Sequence, residues 1–568
     1  MRRALPLALA CLVLAWVGLP SAAQGADISA CAARSYHPAQ QPPFGGERVP
    51  PLREVHDLNE APPGPRLLTG QEAIDIAART AAVREEGTGL DPRAFIQGPC
   101  RWQVSFYEGS DEVARVAIDD RTGTVLEAWN GHQVGTELAR GYEGAVAQMV
   151  NAPYVWLPLC LLFVLPFLDP TRPRRIVHLD LLVIVALSIS LFFFNRAEIT
   201  ESVLLTYPVL AYVFARMLWA GLRPRAERGP LVPFLPIRWL AVGAVVLALG
   251  RIALNVTDSQ VIDVGVAGVV GADRIEHGEP LYEGEFSPGI DLRGDVYGPA
   301  NYLAYVPFEA AFPWHGEWDD VPAAHAAAIA FDMLTAFGLV LLGRRILPRE
   351  GFALGWALGF AWLACPWTLY AMNANANDSL IAALLVGAML TLTAAPVRGA
   401  LVALASAAKF GPAALAPLFA TGTSERRWRS TLMFSAAFVV VALVLFLPFL
   451  PDGGVREMYD RTLGYQANRS SPFSVWGLAP SVHFLQAVTR VAAVVLAVAV
   501  AFFPPRKRVL QVAALAAAVT VAVQAGATHW FYFYVVWFLP LYLVACFGAY
   551  RSASRPLFAS GDRGLESA

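Results

Sequence analysis

Residues 174–194 read RRIVHLDLLVIVALSISLFFF. Arginines crowd one end, and the apolar run that follows has the length needed to cross a bilayer, whose hydrocarbon core takes about 20 residues. Comparable runs occur at 149–168, 202–219, 238–254, 322–343, 351–372, 379–395, 430–450, 482–503, 508–526 and 530–549. A further apolar stretch, 399–421, is interrupted by Lys409-Phe410-Gly411-Pro412. Composition agrees: of 568 residues, 56% are hydrophobic and only 15% charged, where a soluble chain carries about 25% charged residues. A net charge of −2 gives no electrostatic reason to expect nucleic acid. The fold class this predicts is an all-α polytopic membrane bundle.

The arginines give the bundle a direction. Arg172, Arg174 and Arg175 follow the first run; Arg223, Arg225 and Arg228 the third; Arg344, Arg345 and Arg349 the fifth. Arg426, Arg427 and Arg429, then Arg506, Lys507 and Arg508, complete the series. All five clusters fall on one side when the N-terminal segment lies outside, and the positive-inside rule assigns that side to the cytoplasm. The same parity requires 399–421 to enter and leave on the cytoplasmic side as two half-helices. Segments 255–321, 373–378, 451–481 and 526–529 then face outward, which predicts a cell membrane protein whose polar residues are extracytoplasmic.

The N-terminus is read as an export signal over 1–23: Arg2 and Arg3, an apolar core from Ala4 to Leu19, and small residues at Pro20-Ser21-Ala22-Ala23. The alternative is an uncleaved anchor. Residues 24–66 form a Pro- and Gly-rich lead-in. From 67 to 145 the pattern predicts a small α+β domain. Thr69-Gly70-Gln71-Glu72 has capping-box spacing ahead of Ala73, Ile74, Ala77 and Ala78, and alternating runs follow at 102–106, 113–118 and 125–129. Six cysteines occur in all. Cys31 and Cys100 are the two exported beyond the signal, so a disulfide between them is the natural expectation. No His/Cys spacing suggests a metal site, and no cofactor is called for.

In the 255–321 loop, apolar residues from Val261 to Ile275 interleave with acids. That pattern predicts an amphipathic helix lying on the membrane surface. Asp258 and Asp263 would stand just above the bilayer, where an apolar surround raises a carboxyl pKa and suits a general base. The bland alternative is a solvated acidic loop. Lys409, between two apolar half-helices, either meets a lipid phosphate or snorkels to the interface. Arg461 and Arg469 offer guanidinium forks for phosphate oxygens, or are ordinary surface arginines. His529, beside Trp530, is a phosphate donor or part of an aromatic belt. Inside the spans, Arg251, Asp332 and Arg490 are costly unless paired or facing a wet cavity, and an Asp332–Arg490 pair is the hypothesis.

Four segments, DVGVAGVVGADRIEHGEPLY (263–282), YGPANYLAYVPFE (297–309), AKFGPAALAPL (408–418) and YQANRSSPFSVWGL (465–478), together resemble glycosyltransferase family 87. Those are C-type membrane glycosyltransferases using polyprenyl-phosphate sugars. The resemblance runs over roughly 240–550, within a core at 238–550, and leaves 149–220 as three added helices and 551–568 as a cytoplasmic tail. It implies an inverting transfer of a mannose- or arabinose-type sugar to an envelope glycolipid or glycan. Asp263 would be the base, with Asp258 in reserve. Arg461, Arg469, Gln466, Lys409, His529, Asp295 and Tyr297 are the substrate-binding candidates in or beside these segments. The stretch VAIDDRTGTVLEAW (116–129) resembles a PepSY-type domain, which implies binding or spacing rather than catalysis. A transporter or flippase is the competing class, because broken helices are a transporter device. A non-catalytic regulator working through the exported domain is the other.

Overall fold

The computed structural model describes residues 52–554 except 63–65, 99, 145, 288–292, 319, 348–350, 424–426 and 470. The expected signal peptide, most of the lead-in with Cys31, and the tail beyond 554 lie outside the described residues. The chain divides near Val134 into two compact units.

The first unit is a five-stranded antiparallel meander with a helix on it. Strands β1 (Leu52–Glu54), β2 (Asp91–Gln97), β3 (Arg101–Glu108), β4 (Asp111–Asp119) and β5 (Val125–Asn130) lie in sequence order, with helix α1 spanning Gly70–Ala78. Residues of alternate parity face one side: Trp102 pairs with Ile118, Val104 with Val116 and Phe106 with Ala114. These side chains are buried with Ala73, Ile74 and Ala77 of α1. The expected capping box is present: the Glu72 N–H donates to Thr69 Oγ1 at 3.2 Å and the Thr69 N–H to Glu72 Oε2 at 2.9 Å. β1 and β2 extend the sheet beyond the three predicted runs. Neither has the full alternation that marks a half-buried strand: β1 is exposed throughout, and β2 is mostly half-buried with only Ala94 buried. Cys100 is disulfide-bonded, while Cys160, Cys365 and Cys546 are free.

Asp120 holds this unit together. Its buried carboxylate accepts the Leu67 N–H at 2.9 Å, the Leu68 N–H at 3.2 Å and the Trp102 indole N–H at 2.7 Å. An Asp120→Ala chain leaves these donors unsatisfied, at about 1–3 kcal/mol for each one that stays buried. Hydrogen–deuterium exchange should then show protection lost across β3 and β4; unchanged protection would refute the role.

The second unit is helical. Six helices are long and apolar enough to cross a membrane: α3 (Ile176–Phe194), α4 (Ile199–Leu222), α5 (Ile237–Thr257), α8 (Pro322–Ile346), α14 (from Arg427) and α17 (His483–Phe502). Helices α9 (Gly351–Ala364) and α10 (Pro366–Asn373) meet at a 57° bend and make a seventh span if taken together. Between these spans lie α2 (Pro153–Val164), α6 (Asp263–Glu276), α7 (Pro299–Leu303), α11 (Asp378–Leu390), α12 (Ala395–Ala408) and α13 (Ala416–Thr421). Later come α15 (Gly454–Tyr459), α16 (Tyr465–Asn468), α18 (Val509–Ala525) and α19 (Val535–Phe547). In the Trp428–Phe449 span only 6% of residues are buried within the protein. In water that would be a large exposed apolar patch; lipid is the solvent that removes the penalty. The chain is accordingly read as a multi-pass membrane protein.

Its two ends are chemically distinct. At one end the basic connections gather. Arg175 donates to Pro230 O at 2.7 Å, Gln511 to Gly221 O at 2.8 Å and Arg345 to Leu390 O at 2.8 Å. Residues Glu227–Val232 (β6) pair in parallel with Tyr550–Ser554 (β7) there. At the other end the four segments predicted to share a side do converge. Asn375 bonds Gln260 O, Asn377 bonds Asn301, Arg461 bonds Asp295, and Ser474 bonds Thr528 O.

The expected Asp332–Arg490 pair does not form. Asp332 meets Arg251 of α5 at 2.9 Å, with both side chains almost wholly buried. Arg490 instead donates to Gly526 O and Thr528 Oγ1. The bend between α9 and α10 supplies the reason. Pro366 interrupts the helical ladder, and Arg251 donates to the Leu363 carbonyl at 3.0 Å and to Thr368 Oγ1 at 3.1 Å.

Candidate functional site

Helix α6 carries Asp263 at its first position. It is not a surface helix: Gly265 through Ala272 are buried without exception. The glycines at three-residue spacing explain the difference from the amphipathic expectation. They leave one face bare of side chains, and the rings of Tyr305 and Tyr302 press against Gly268 and Gly271 where a Cβ would stand. The interleaved valines therefore meet protein rather than lipid.

What precedes α6 is held by the asparagine run. Asn373 donates to Asp258 O at 2.9 Å, and Asn375 to Ser259 Oγ at 3.0 Å and Gln260 O at 2.8 Å. The Ile262 N–H donates to Ala374 O at 3.2 Å. Asn375 takes a left-handed φ of 52°, which asparagine tolerates better than most residues. The Asn373 and Asn375 side chains and one backbone bond thus fix the start of this helix, and with it the position of Asp263.

The break at 409 is a re-entrant hairpin. α12 rises from the basic end, and Arg398 near its base bonds Leu392 O, Ala420 O and Ser430 Oγ, tying together both feet of the hairpin and the start of α14. Fourteen residues of helix climb about 21 Å at 1.5 Å each, which carries Lys409 to the opposite end. The tip lies against Gly298, whose missing Cβ makes room for the Ala407 carbonyl. Parity alone placed both feet correctly on the basic side; the length of α12 brings the lysine to the other one.

There Lys409 Nζ donates to Asp378 Oδ1 at 2.7 Å, and the Trp537 indole N–H donates to the same oxygen at 2.7 Å. The ammonium lies 5.8 Å from the Tyr297 ring centre, 5.8 Å from Tyr534 and 5.4 Å from Trp537, within cation–π range. The Asp263 carboxylate accepts the Val264 N–H at 2.8 Å and has no side-chain partner among the described residues. It retains open surface yet is desolvated by the protein packed around it. That desolvation raises its pKa; the charges of Arg469 and Lys409 oppose the rise and Asp378 adds to it. Tyr297 is pushed well up by the same burial, with Asp263 contributing.

No protein-family model matches the chain, and no curated protein matches it either. The site must be read from its own chemistry.

His529 belongs to it. Burial, then the nearby Arg469 and Lys409 charges, hold its pKa well below the ordinary value. Its Nδ1 lies 2.8 Å from Ser471 Oγ, which itself accepts the Phe473 N–H at 3.3 Å. Either atom serves as donor in this pair according to the imidazole tautomer, and the neutral ring keeps one N–H to give. Arg469 has no side-chain hydrogen bond or ion pair among the described residues, so its fork is open.

The sequence candidates thus sort into groups. Asp263, Lys409, Arg469, His529 and Tyr297 lie close enough together to act on one another's charge. Arg461 and Asp295 are bound to each other at 2.9 Å, and Arg461 also to Glu457 at 3.0 Å, which occupies the fork expected to be free for phosphate. Gln466 is half-buried on α16. Asp258 caps α5 and faces the Tyr142 phenol, and desolvation raises its pKa as well. Asp378, Trp537 and Tyr534 were not singled out from sequence. Asp378 closes an Asn-Ala-Asn-Ala-Asn-Asp run that read only as an external loop, and nothing local says that a lysine arrives beside it.

Proposed function

We propose that this chain is a membrane glycosyltransferase acting on a polyprenyl-phosphate sugar at the end of the bundle opposite its basic loops, which the arginine distribution assigns to the extracytoplasmic side. The observation that carries the reading is the Asp263 carboxylate, without a side-chain partner among the described residues, standing close to an open guanidinium, an ammonium and a neutral imidazole. Base and anion-binding groups are thereby set apart but close, as a displacement at carbon with a phosphate leaving group requires.

In this reading Asp263 takes the proton of the acceptor hydroxyl. The acceptor oxygen forms a bond to the anomeric carbon, and the bond from that carbon to the phosphate oxygen breaks with its electron pair leaving on the phosphate. Attack from the face opposite the leaving group inverts the centre. Arg469 offers the leaving phosphate two parallel hydrogen bonds, Lys409 a compact charge and His529 a donor. Asp378 and Trp537 orient Lys409. The polyprenyl tail is solvated by lipid, against apolar faces such as those of α14 and α17.

The pH dependence follows with a definite sign. The base works ionised, and its pKa stands above the ordinary aspartate value of about 4, so kcat/KM rises with pH along a limb displaced upward. Lys409→Met removes a charge that favours the ionised form and leaves Asp378 uncompensated. The limb should therefore move to still higher pH, and turnover should fall by about 100-fold or more with loss of electrostatic stabilisation. The assay is sugar release from polyprenyl-phosphate mannose and arabinose by protein in nanodiscs. No cleavage by the unaltered chain, or an acid limb unmoved in the variant, sinks the proposal.

One observation favours a transporter instead: a re-entrant hairpin carrying a buried lysine–carboxylate pair resembles the broken helices at transport sites. Proton-coupled uptake into sealed vesicles, abolished by Asp378→Asn in the absence of any sugar cleavage, would establish that reading.

A further inference from the structure

The start of α6 is braced from a second side, by residues that the proposed reaction does not use. The connection leading into α8 lies over it. The Trp318 indole N–H donates to Val261 O at 2.9 Å, Val321 is buried, and Ala324 Cβ lies 3.5 Å from where a Cβ on Gly265 would stand. His325, in the first turn of α8, is buried there, and Asp320 of the same connection stands 3.2 Å from its Nε2.

The hydrogen bonds around Nδ1 fix where the imidazole carries its proton. Asn255 donates its NH2 to Met372 O at 2.9 Å, and a backbone carbonyl can only accept, so the orientation of that amide is set. Asn255 Oδ1, 3.1 Å from Nδ1, is therefore an acceptor. Ser259 Oγ, also 3.1 Å from Nδ1, gives its one proton to Asn255 O at 2.6 Å and accepts from Asn375. With acceptors on both sides, Nδ1 holds a hydrogen. A neutral ring then turns a bare Nε2 toward the Asp320 carboxylate, lone pair against lone pair. That nitrogen has no hydrogen-bond partner among the described residues. A proton on Nε2 turns the same contact into a charge-assisted hydrogen bond. Among the described residues Asp320 is the charged group acting on the ring. The α5 side and the asparagine run present it with amides, a hydroxyl and carbonyls, and α6 presents Gly265 to the neighbouring Ala324. Glu309, on the segment Val306–Glu309 that packs along α8, accepts the Trp314 N–H at 3.0 Å instead.

We propose that His325 and Asp320 are positioning residues for Asp263, forming a proton-operated latch. The protonated pair clamps the connection onto the start of α6, and the neutral ring releases it. The consequence for turnover rests on the transferase reading, but the latch itself is measured without turnover. Full-length protein in nanodiscs is followed by hydrogen–deuterium exchange at the start of α6, with rates corrected for the intrinsic pH dependence of exchange. From about pH 5 to about pH 8, the range in which a histidine changes charge, protection should fall by about 10-fold or more, the scale set by one charge-assisted hydrogen bond. Asp320→Asn offers Nε2 an amide N–H, so protection should stay high at both ends of the range. Asp320→Ala offers it nothing, so protection should stay low at both. The Asp320 side chain is 55% exposed, so the fold tolerates either change. A purely structural role for the residue would not give two opposite plateaus. In turnover the same step should appear as an alkaline limb of kcat/KM that Asp320→Asn removes, above the acid limb set by Asp263. Protection that does not vary with pH in the parent, or an Asp320→Asn chain that loses protection over the parent's range, overturns the latch. If the latch titrates while no polyprenyl-phosphate sugar is cleaved, the latch stands and the transferase reading falls. If the donor is cleaved in an Asp263-dependent way while protection ignores pH, the reverse holds.

Discussion

Asp263→Asn should lower sugar transfer by about 100- to 10,000-fold, the range expected when a positioned general base is removed. The chain should remain folded. Among the described residues the carboxylate accepts one hydrogen bond, from the neighbouring Val264 N–H, and an amide oxygen can accept that as well. Its raised pKa also has a stability consequence with a clear sign. Ionising a desolvated carboxyl opposes folding as pH rises through the ordinary aspartate value toward the folded one, so the neutral amide relieves that penalty at neutral pH. Asp258→Asn is the contrast: its carboxylate faces Tyr142 and has no connection to Arg469 or Lys409, so transfer should stay within a few-fold. Comparable losses from both substitutions, or none from Asp263→Asn, would remove Asp263 from the chemistry.

The largest stability effect is expected deep in the bundle. Asp332→Asn leaves the Arg251 guanidinium buried with no counter-charge, and breaking a buried pair from one side costs about 3–5 kcal/mol. Arg251 also satisfies the Leu363 carbonyl at the α9–α10 bend, so its displacement would loosen the segment leading to the asparagine run. Replacing both partners, as Arg251→Met with Asp332→Leu, removes the uncompensated charge and should recover much of the loss. Thermal unfolding in detergent, read for the single and double variants, decides it. A single variant as stable as the parent would show that the pair is dispensable.

The arginine clusters made the grouping of loops legible because their signal is additive: five short connections agree on one side, and no packing detail can reverse that. Periodicity likewise gave β3 to β5 and the capped α1, since each depends on neighbours a few residues away. The reading of 261–275 failed for the opposite reason. Alternating valines and acids look amphipathic to any local rule, and only the tyrosines of 302 and 305, arriving from 30 residues later, turn the glycine face into a buried contact. Arg490 was a reasonable partner for Asp332 on residue type, but a bend at Pro366 created a demand for a donor that Arg251 was placed to meet.

By itself the sequence determined that this is a helical bundle made for lipid, that its basic loops share a side, and that a broken stretch at 399–421 starts and ends on that side. It also named Asp263, Lys409, Arg469, His529 and Tyr297 as residues worth watching. Only the tertiary structure decided that these five come together, that Asp378 holds the lysine, and that Arg461 and Asp295 neutralise each other. The physical reason is range. Hydropathy and charge bias are properties of single segments, whereas this site joins residues as far apart in sequence as Asp263 and His529, at distances that only packing can set.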